Sequence, residues 1–378
     1  MKIAVLTRRY GYNFGSSLQA CAMRLMLENL GHDVVVLNYD EFSQHVLWKV
    51  KPKLRSLIVP FLSHCRKLGL KNHHVLSAMT EKSQRERFLE FDRLYIKPNK
   101  DVLHKRRMLS KAVKGFDACI CGSDQIWNPN SFDTHYYLDF CSKDEIRKIS
   151  YAASFGIPMI SDKDGSISSF LNDFSFISVR EMEGKQIVEN ISGRRDCSVV
   201  LDPTIMVSAN EWRRLKSKSR VDLPDKYVVC YFLGKTYIPH KWIETVAARL
   251  NCPIVNLTTF RTRNEIVGAQ LDTLGPLEFL SVIDNATCVL TDSFHATVFS
   301  ILFEKDFFSF NKHKNESAVN ENSRLYTLLE KLQLGDRHVV DNEVIPSDFP
   351  SISYEEVKEA LGREKRLSNT FLIKALSF

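Results

Sequence analysis

Polar residues that a hydrophobic core does not need gather at four places in this 378-residue sequence, each beside an apolar run. The first is Asn13-Phe14-Gly15-Ser16-Ser17. Gly15 permits close backbone approach, and Ser16 or Ser17 can cap a helix whose free N–H groups favour an anion. The same five residues also read as an ordinary helix start. The second is Gly122-Ser123-Asp124-Gln125-Ile126-Trp127-Asn128-Pro129. Ser123, Asp124, Gln125 and Asn128 can offer hydrogen bonds to a polyol, and the bland alternative is a turn with Asx-type bonding. The third, Ser178-Val179-Arg180-Glu181, holds an arginine able to fork onto a phosphate or carboxylate, or to pair with a nearby acid. The fourth is Thr291-Asp292-Ser293-Phe294-His295-Ala296-Thr297. Here His295 stands at a strand-to-helix junction, where an imidazole can give or take a proton near neutral pH.

Known signatures for other chemistries are missing. The chain has no G-x-G-x-x-G, P-loop, H-E-x-x-H, paired C-x-x-C or G-x-S-x-G pattern. No dedicated metal site, direct nucleotide fingerprint or α/β-hydrolase nucleophile is therefore expected.

The elements that must carry these loops alternate between strand and helix. KIAVLT (2–7), SLQACAMRLMLENLG (17–31) and DVVVLNY (33–39) read as a βαβ opening, whose crossover implies a parallel sheet. FDACICG (116–122), KISYAAS (148–154), FSFISVR (174–180) and SVVLD (198–202) continue as strands. After the linker-like stretch 217–226, a second series follows: KYVVCYFLG (226–234), the helix 240–250, PIVNLT (253–258), the Gly-Pro-opened helix 275–286, TCVLTD (287–292), the helix 295–304 and DFFSF (306–310) as the last buried strand. Two such series predict two Rossmann-like halves with a cleft between them, and ligands beyond the carboxyl ends of the strands. The expected division is 1–216, 217–350 and a C-terminal helical segment 351–378, with a helical insertion over about 42–114 in the first half.

Composition is that of a soluble globular protein, with 44% hydrophobic and 26% charged residues, which excludes a disordered chain or a small disulfide scaffold. The net charge of +7 is unevenly placed: Lys49 to Lys114 holds 18 basic and 5 acidic residues, a local +13, so the remaining chain carries −6. That insertion lacks a recognised nucleic-acid module, and a basic, partly amphipathic face suits anionic lipid headgroups equally well. The nine cysteines are scattered, several within apolar runs, so free buried thiols are expected. The opening residues do not have an export-signal pattern, no apolar run of about 18 residues exists, and the expected location is the cytoplasm.

NFGSSLQACAM, CGSDQIWNP, ISYAASFG, ISVRE, VLDPT and TDSFHATVFSILFEKDFF together resemble the polysaccharide pyruvyl transferase family, over about residues 3–335. CGSDQIWNP and TDSFHATVFS are the most specific pieces. The resemblance implies an α/β, glycosyltransferase-B-like fold with two facing Rossmann-like domains. It also implies transfer of a pyruvyl group from phosphoenolpyruvate, a co-substrate, to a sugar of a surface-polysaccharide precursor, forming a cyclic ketal with release of phosphate and no other cofactor. The acceptor would be a polyprenyl-diphosphate-linked oligosaccharide at the inner face of the membrane, with no nucleic-acid partner. On this reading His295 is the general acid and Arg180 holds the donor. Asp124 helps deprotonate the acceptor, which Ser123, Gln125, Asn128, Asn13 and Gly15 orient. Relatives can carry Arg-Leu-His where this chain has Ser293-Phe294-His295, so the donor side, with Ser293 and Phe294, needs another cation. Arg324 and then Lys312 are the candidates, each otherwise a solvated surface charge. Two other classes stay open: a nucleotide-sugar glycosyltransferase of the same architecture, and a non-catalytic component of polysaccharide assembly.

Overall fold

The computed structural model describes residues 1–9, 11–41, 73–162, 165–216, 221–234, 238–259, 262, 264–312, 322–340 and 344–377. The first part of the insertion (42–72) and the start of the expected linker (217–220) lie outside them.

Short β-branched and apolar runs form two six-stranded sheets, all of whose pairings are parallel. The first contains β1 (Lys2–Leu6), β2 (Asp33–Val36), β3 (Ala118–Cys121), β4 (Arg147–Ala153), β5 (Phe176–Val179) and β6 (Ser198–Val199), in the order β2-β1-β3-β4-β5-β6. The second contains β7 (Val228–Tyr231), β8 (Ile254–Leu257), β9 (Ala269–Leu271), β10 (Cys288–Thr291), β11 (Asp306–Phe310) and β12 (His338–Val339), in the order β12-β11-β10-β7-β8-β9. The central strands are buried on both faces, which is why β1, β3, β7 and β10 are continuous apolar runs without alternation.

Strand order reverses between β1 and β3 in the first sheet and between β7 and β10 in the second. Chain leaving neighbouring strands in opposite directions opens a crevice at such a point, beyond the carboxyl ends. The chain after β1 and β3 carries the candidate residues 13–16 and 122–128, and that after β10 carries 292–295. Three of the four polar loops thus meet at the two switch points by topology alone.

Aromatic packing brings the two sheets together. Phe14 is fully buried at the start of the helix Phe14–Asn29 and stacks on Phe88 (5.4 Å) from the helix His73–Phe91. On its other side it stacks on Phe279 (4.8 Å) and meets Tyr231 (5.7 Å), both from the second half. Such ring pairs add about 0.5–1.5 kcal/mol each beyond area burial. Gln84 donates to the Leu274 carbonyl (3.1 Å), and Arg87 pairs with Glu278. The helix Tyr354–Leu376 spans both halves. At its start the Tyr354 hydroxyl donates to the Lys305 carbonyl; further along, the Leu201 N–H donates to Ser368 Oγ (2.9 Å) and Arg147 donates to the Ala375 carbonyl (3.0 Å).

Several expectations need correction. β11 is not the last strand: β12 pairs beside it through Ser309–His338 and Phe310–Val339, too short to show as an apolar run. β9 was not anticipated either, because its residues Ala-Gln-Leu are largely exposed at a sheet edge. The first helix starts at Phe14, not Ser17, and its N-cap is Asn13, whose side chain accepts from the Ser16 N–H. The described part of the insertion is helical over 73–91 and 106–112, but some of its charge is used internally, by Arg85 on Glu81 and by Arg106 on the Asp139 carbonyl (2.7 Å). All eight described cysteines are free, and all but Cys141 are buried. No helix among the described residues is long and apolar enough to cross a membrane.

Candidate active site

Each sheet contributes its strand-end loops. Strand β3 ends in Gly122, whose φ of 116° few side chains tolerate and whose added Cβ would meet the Tyr151 carbonyl oxygen at 2.0 Å. Next to it Asp124 holds φ 66°, the left-handed region, a conformation that Asp adopts more readily than most residues. Its carboxylate accepts from Ser16 Oγ (2.6 Å) at the head of the first helix and lies 3.8 Å from Arg180 Nη2. A bulge in β4 between Ser150 and Ala153, with Ala152 at φ 52°, re-aims the chain beside this loop. There the Ser154 carbonyl accepts from the Trp127 N–H (3.1 Å) and the Asp124 carbonyl from the Ser154 N–H (3.0 Å).

Arg180 follows β5 and is buried. Its Nη1 donates to Asp202 Oδ2 (2.6 Å), and its guanidinium lies 4.4 Å from the Phe294 ring centroid. His295 stands in the first turn of the helix Phe294–Leu302, whose N-cap is Ser293. His295 Nε2 lies 3.7 Å from Asp202 Oδ2, and the other face of the ring rests on Gly15, where an added Cβ would sit 2.1 Å from Nδ1. Glycine here is what lets the second half's histidine enter the first half's loop.

The electrostatics follow from burial against charge. Burial alone would raise the Asp124 and Asp202 carboxyls. At Asp124 the pull of Arg180, His295 and the Ser16 hydroxyl outweighs it, and at Asp202 that of His295, Arg180 and Thr204, so both stay below the ordinary carboxylate range. Glu181 goes the other way: burial raises it despite Arg180, the Ser154 hydroxyl, Arg324 and the Phe155 N–H, which donates at 3.1 Å.

Asp292 is a further case. Its carboxylate reaches across the second switch point and accepts from the Leu233 and Gly234 N–H groups, at 2.7 Å each. Burial nevertheless pushes it up to about 6, against those bonds and Lys312. Between about pH 4 and 6 the folded carboxyl therefore holds a proton that the unfolded one has lost. The stability this contributes is present below pH 4 and lost as pH rises to 6. Relative to Asp292→Asn, the wild type is expected to lose about 2 kcal/mol of unfolding free energy across that window, as read by urea titration at each pH.

The positions singled out in the sequence fall into two groups. His295, Arg180, Asp124 and Phe294 are brought together, and Arg324 lies close, its guanidinium 5.9 Å from the same Phe294 ring. Gln125 and Asn128 border the group, bonded weakly to each other (3.5 Å) and packed against Gly156. Others make contacts within the protein itself. Asn13 and Ser293 spend their side chains on helix caps. Ser123 is fully buried, with Oγ 2.9 Å from the Ala152 carbonyl and 2.8 Å from Asp202, because its own β3 loop folds inward over the sheet. Gly15 seats His295. Lys312 stands by Asp292 and Gly234 rather than in the Arg180 group. Asp202, which the sequence pattern reads as the end of the strand 198–202, instead N-caps the helix Pro203–Met206 and joins this group.

No curated protein sequence matches the chain. Among solved structures, a protein of Listeria monocytogenes described as a UDP-N-acetylglucosamine 2-epimerase aligns with TM-score 0.53 at 10% identity, covering 100% of this chain and 91% of that one. The UDP-GlcNAc 2-epimerase of Methanocaldococcus jannaschii, solved in complex with UDP-GlcNAc and UDP, aligns with TM-score 0.51 at 13% identity, covering 97% and 93%. At these identities the likeness is one of fold, the glycosyltransferase-B architecture of two facing α/β halves. The model of the polysaccharide pyruvyl transferase family matches residues 13–313, a span that opens at the Asn13 cap and includes Asp124, Arg180, Asp202 and His295, and the chain belongs to that family.

Proposed function

We propose that the protein transfers the pyruvyl group of phosphoenolpyruvate onto two hydroxyls of one sugar in a surface-polysaccharide precursor. One observation supports this above the rest: Arg180 Nε, Arg180 Nη2 and His295 Nε2 are buried with no hydrogen-bond partner, on two side chains that both approach Asp202. Buried donors are ordinarily satisfied, and leaving three of them open in one place suits an anionic ligand. Phosphoenolpyruvate carries both a phosphate and a carboxylate.

In this reading His295 protonates the methylene carbon, and the central carbon takes the first sugar hydroxyl. The second hydroxyl then displaces phosphate at the same carbon. Of the two hydroxyl protons released, one restores His295 and the other leaves with phosphate. Arg180 holds the phosphate or carboxylate, and Arg324, 5.9 Å from the Phe294 ring that Arg180 also approaches, is the candidate for the cation absent at Ser293. Asp124 is ionised and suits orienting an acceptor hydroxyl, while its depressed pKa makes it a weak base. Gln125 and Asn128, in the same loop as Asp124, serve as further acceptor contacts in this reading. No cofactor is required by this chemistry.

The test is incubation with phosphoenolpyruvate and a panel of lipid-linked galactose-type acceptors. Phosphate release together with a pyruvyl mass increment on the acceptor supports the reading. Binding of a UDP-sugar with no response to phosphoenolpyruvate would overturn it in favour of a glycosyltransferase.

A polyprenyl-diphosphate carrier would hold the acceptor at an anionic membrane surface on the cytoplasmic side. Lys105 and Arg107 are exposed on the basic insertion. Reversing both to Glu is expected to weaken binding to phosphatidylglycerol vesicles by about tenfold or more at low salt. Unchanged vesicle sedimentation would remove the docking role.

A further inference from the structure

Arg180 and His295 both approach one carboxylate, Asp202, whose oxygens are already engaged by protein groups. It is 2% exposed. Oδ1 accepts from the Thr204 N–H (2.9 Å) and Thr204 Oγ1 (2.6 Å). Oδ2 accepts from Ser123 Oγ (2.8 Å) and Arg180 Nη1 (2.6 Å). Oδ2 lies 3.7 Å from His295 Nε2, beyond an ordinary hydrogen-bond distance. The carboxylate is fixed from outside the site as well. It N-caps the short helix Pro203–Met206, and the neighbouring Leu201 N–H is tied to Ser368 of the C-terminal helix.

The arrangement divides the Arg180 guanidinium. Asp202 takes the Nη1 corner and leaves Nε and Nη2, the edge that can grip a phosphate or carboxylate in a two-pronged fashion, without a hydrogen bond, with Asp124 3.8 Å from Nη2. The same carboxylate belongs to the first half, while the imidazole it faces belongs to the second. We infer that Asp202 is a positioning residue: it aims the Nε–Nη2 edge of Arg180 and the ring of His295 at one common ligand across the two halves. This inference rests on the phosphoenolpyruvate reading for its ligand, but not for its geometry.

Two variants test it. Asp202→Asn keeps the size and removes the charge. Thr204→Val keeps the charge and frees Oδ1 to turn, and it serves where the first variant folds poorly. In crystal structures of the folded variants, Arg180 and His295 are expected to leave their present places. For Asp202→Asn, kcat for phosphate release from phosphoenolpyruvate is expected to fall by about 10²-fold, as for other misplacements of about 1 Å. KM for phosphoenolpyruvate should stay the same or fall, because a negative charge is lost beneath an anion site. For Thr204→Val a smaller loss of about 5–10-fold in kcat, in the same pattern, is expected. A merely structural role would lower melting temperature and active fraction without this split. Arg180 and His295 unmoved in either variant structure, or kcat unchanged in Asp202→Asn, would overturn the inference. If the wild type releases no phosphate from phosphoenolpyruvate with any acceptor, the functional reading fails by itself, and the positions of the two side chains in the variant structures still decide the role of Asp202.

Discussion

Replacing His295 with glutamine is expected to slow phosphate release from phosphoenolpyruvate by about 10²–10⁴-fold, the usual range for loss of a general acid. Glutamine is chosen because it fills much of the same space and can still hydrogen-bond, so the seat on Gly15 and the neighbouring Asp202 carboxylate are not left against a void. What it cannot do is deliver a proton to carbon. The loss should therefore fall on kcat, with circular dichroism and melting temperature close to wild type. A nucleotide-sugar transferase would show no such phosphate release in the wild type. A non-catalytic assembly component would keep its biological effect in the variant, and that result, with folding intact, would remove His295 from the chemistry.

The second large effect is expected from Gly15→Ala. In a helix interior this exchange ordinarily stabilises by about 1 kcal/mol. Here the added Cβ would fall 2.1 Å from His295 Nδ1, 2.5 Å from Cγ and 2.9 Å from Cβ. Three atoms reaching back to the base of the side chain are involved, so rotating the ring tip does not relieve the clash. Either the imidazole swings off its position facing Asp202, or the Phe14 helix withdraws from the second half and strains the Phe14–Phe279 stack. Both outcomes displace the proton donor, and an activity loss of about 10²-fold or more is expected. Phosphate-release kinetics together with thermal unfolding separate the two routes, since only the second lowers stability. Wild-type turnover in this variant would mean that His295 need not occupy the position seen here.

Both predictions concern residues visible in the sequence, but for different reasons. His295 stood out because a titratable side chain at a strand-to-helix junction has little structural use. Arg180 and Asp124 stood out likewise, as charged residues directly after apolar strands. Gly15 was legible as a close-approach residue, yet the partner of that approach was not, since His295 lies 280 positions away in the sequence. Asp202 shows the limit most clearly. An Asp before a Pro satisfies a local rule, the capped helix start, and a residue with a sufficient local reason gives no sign of a second one.

The alternation of short apolar runs with amphipathic helices was enough to define an α/β chain with two parallel sheets, and strand-end polarity was enough to single out Asp124, Arg180 and His295, which the fold brings together. Those signals are local, carried by periodicity and by residues out of place in a core. The pairing of the halves is not local. Phe14 looks like an apolar intruder in a polar loop until Phe88, Phe279 and Tyr231 surround it. The donors left open on Arg180 and His295 exist only because one buried carboxylate from a third loop sets both, and burial itself is a property of the closed molecule. Charge, size and hydrogen-bonding capacity are written residue by residue, whereas which groups share a low-dielectric space, and which are left without a partner there, follows from packing two sheets face to face.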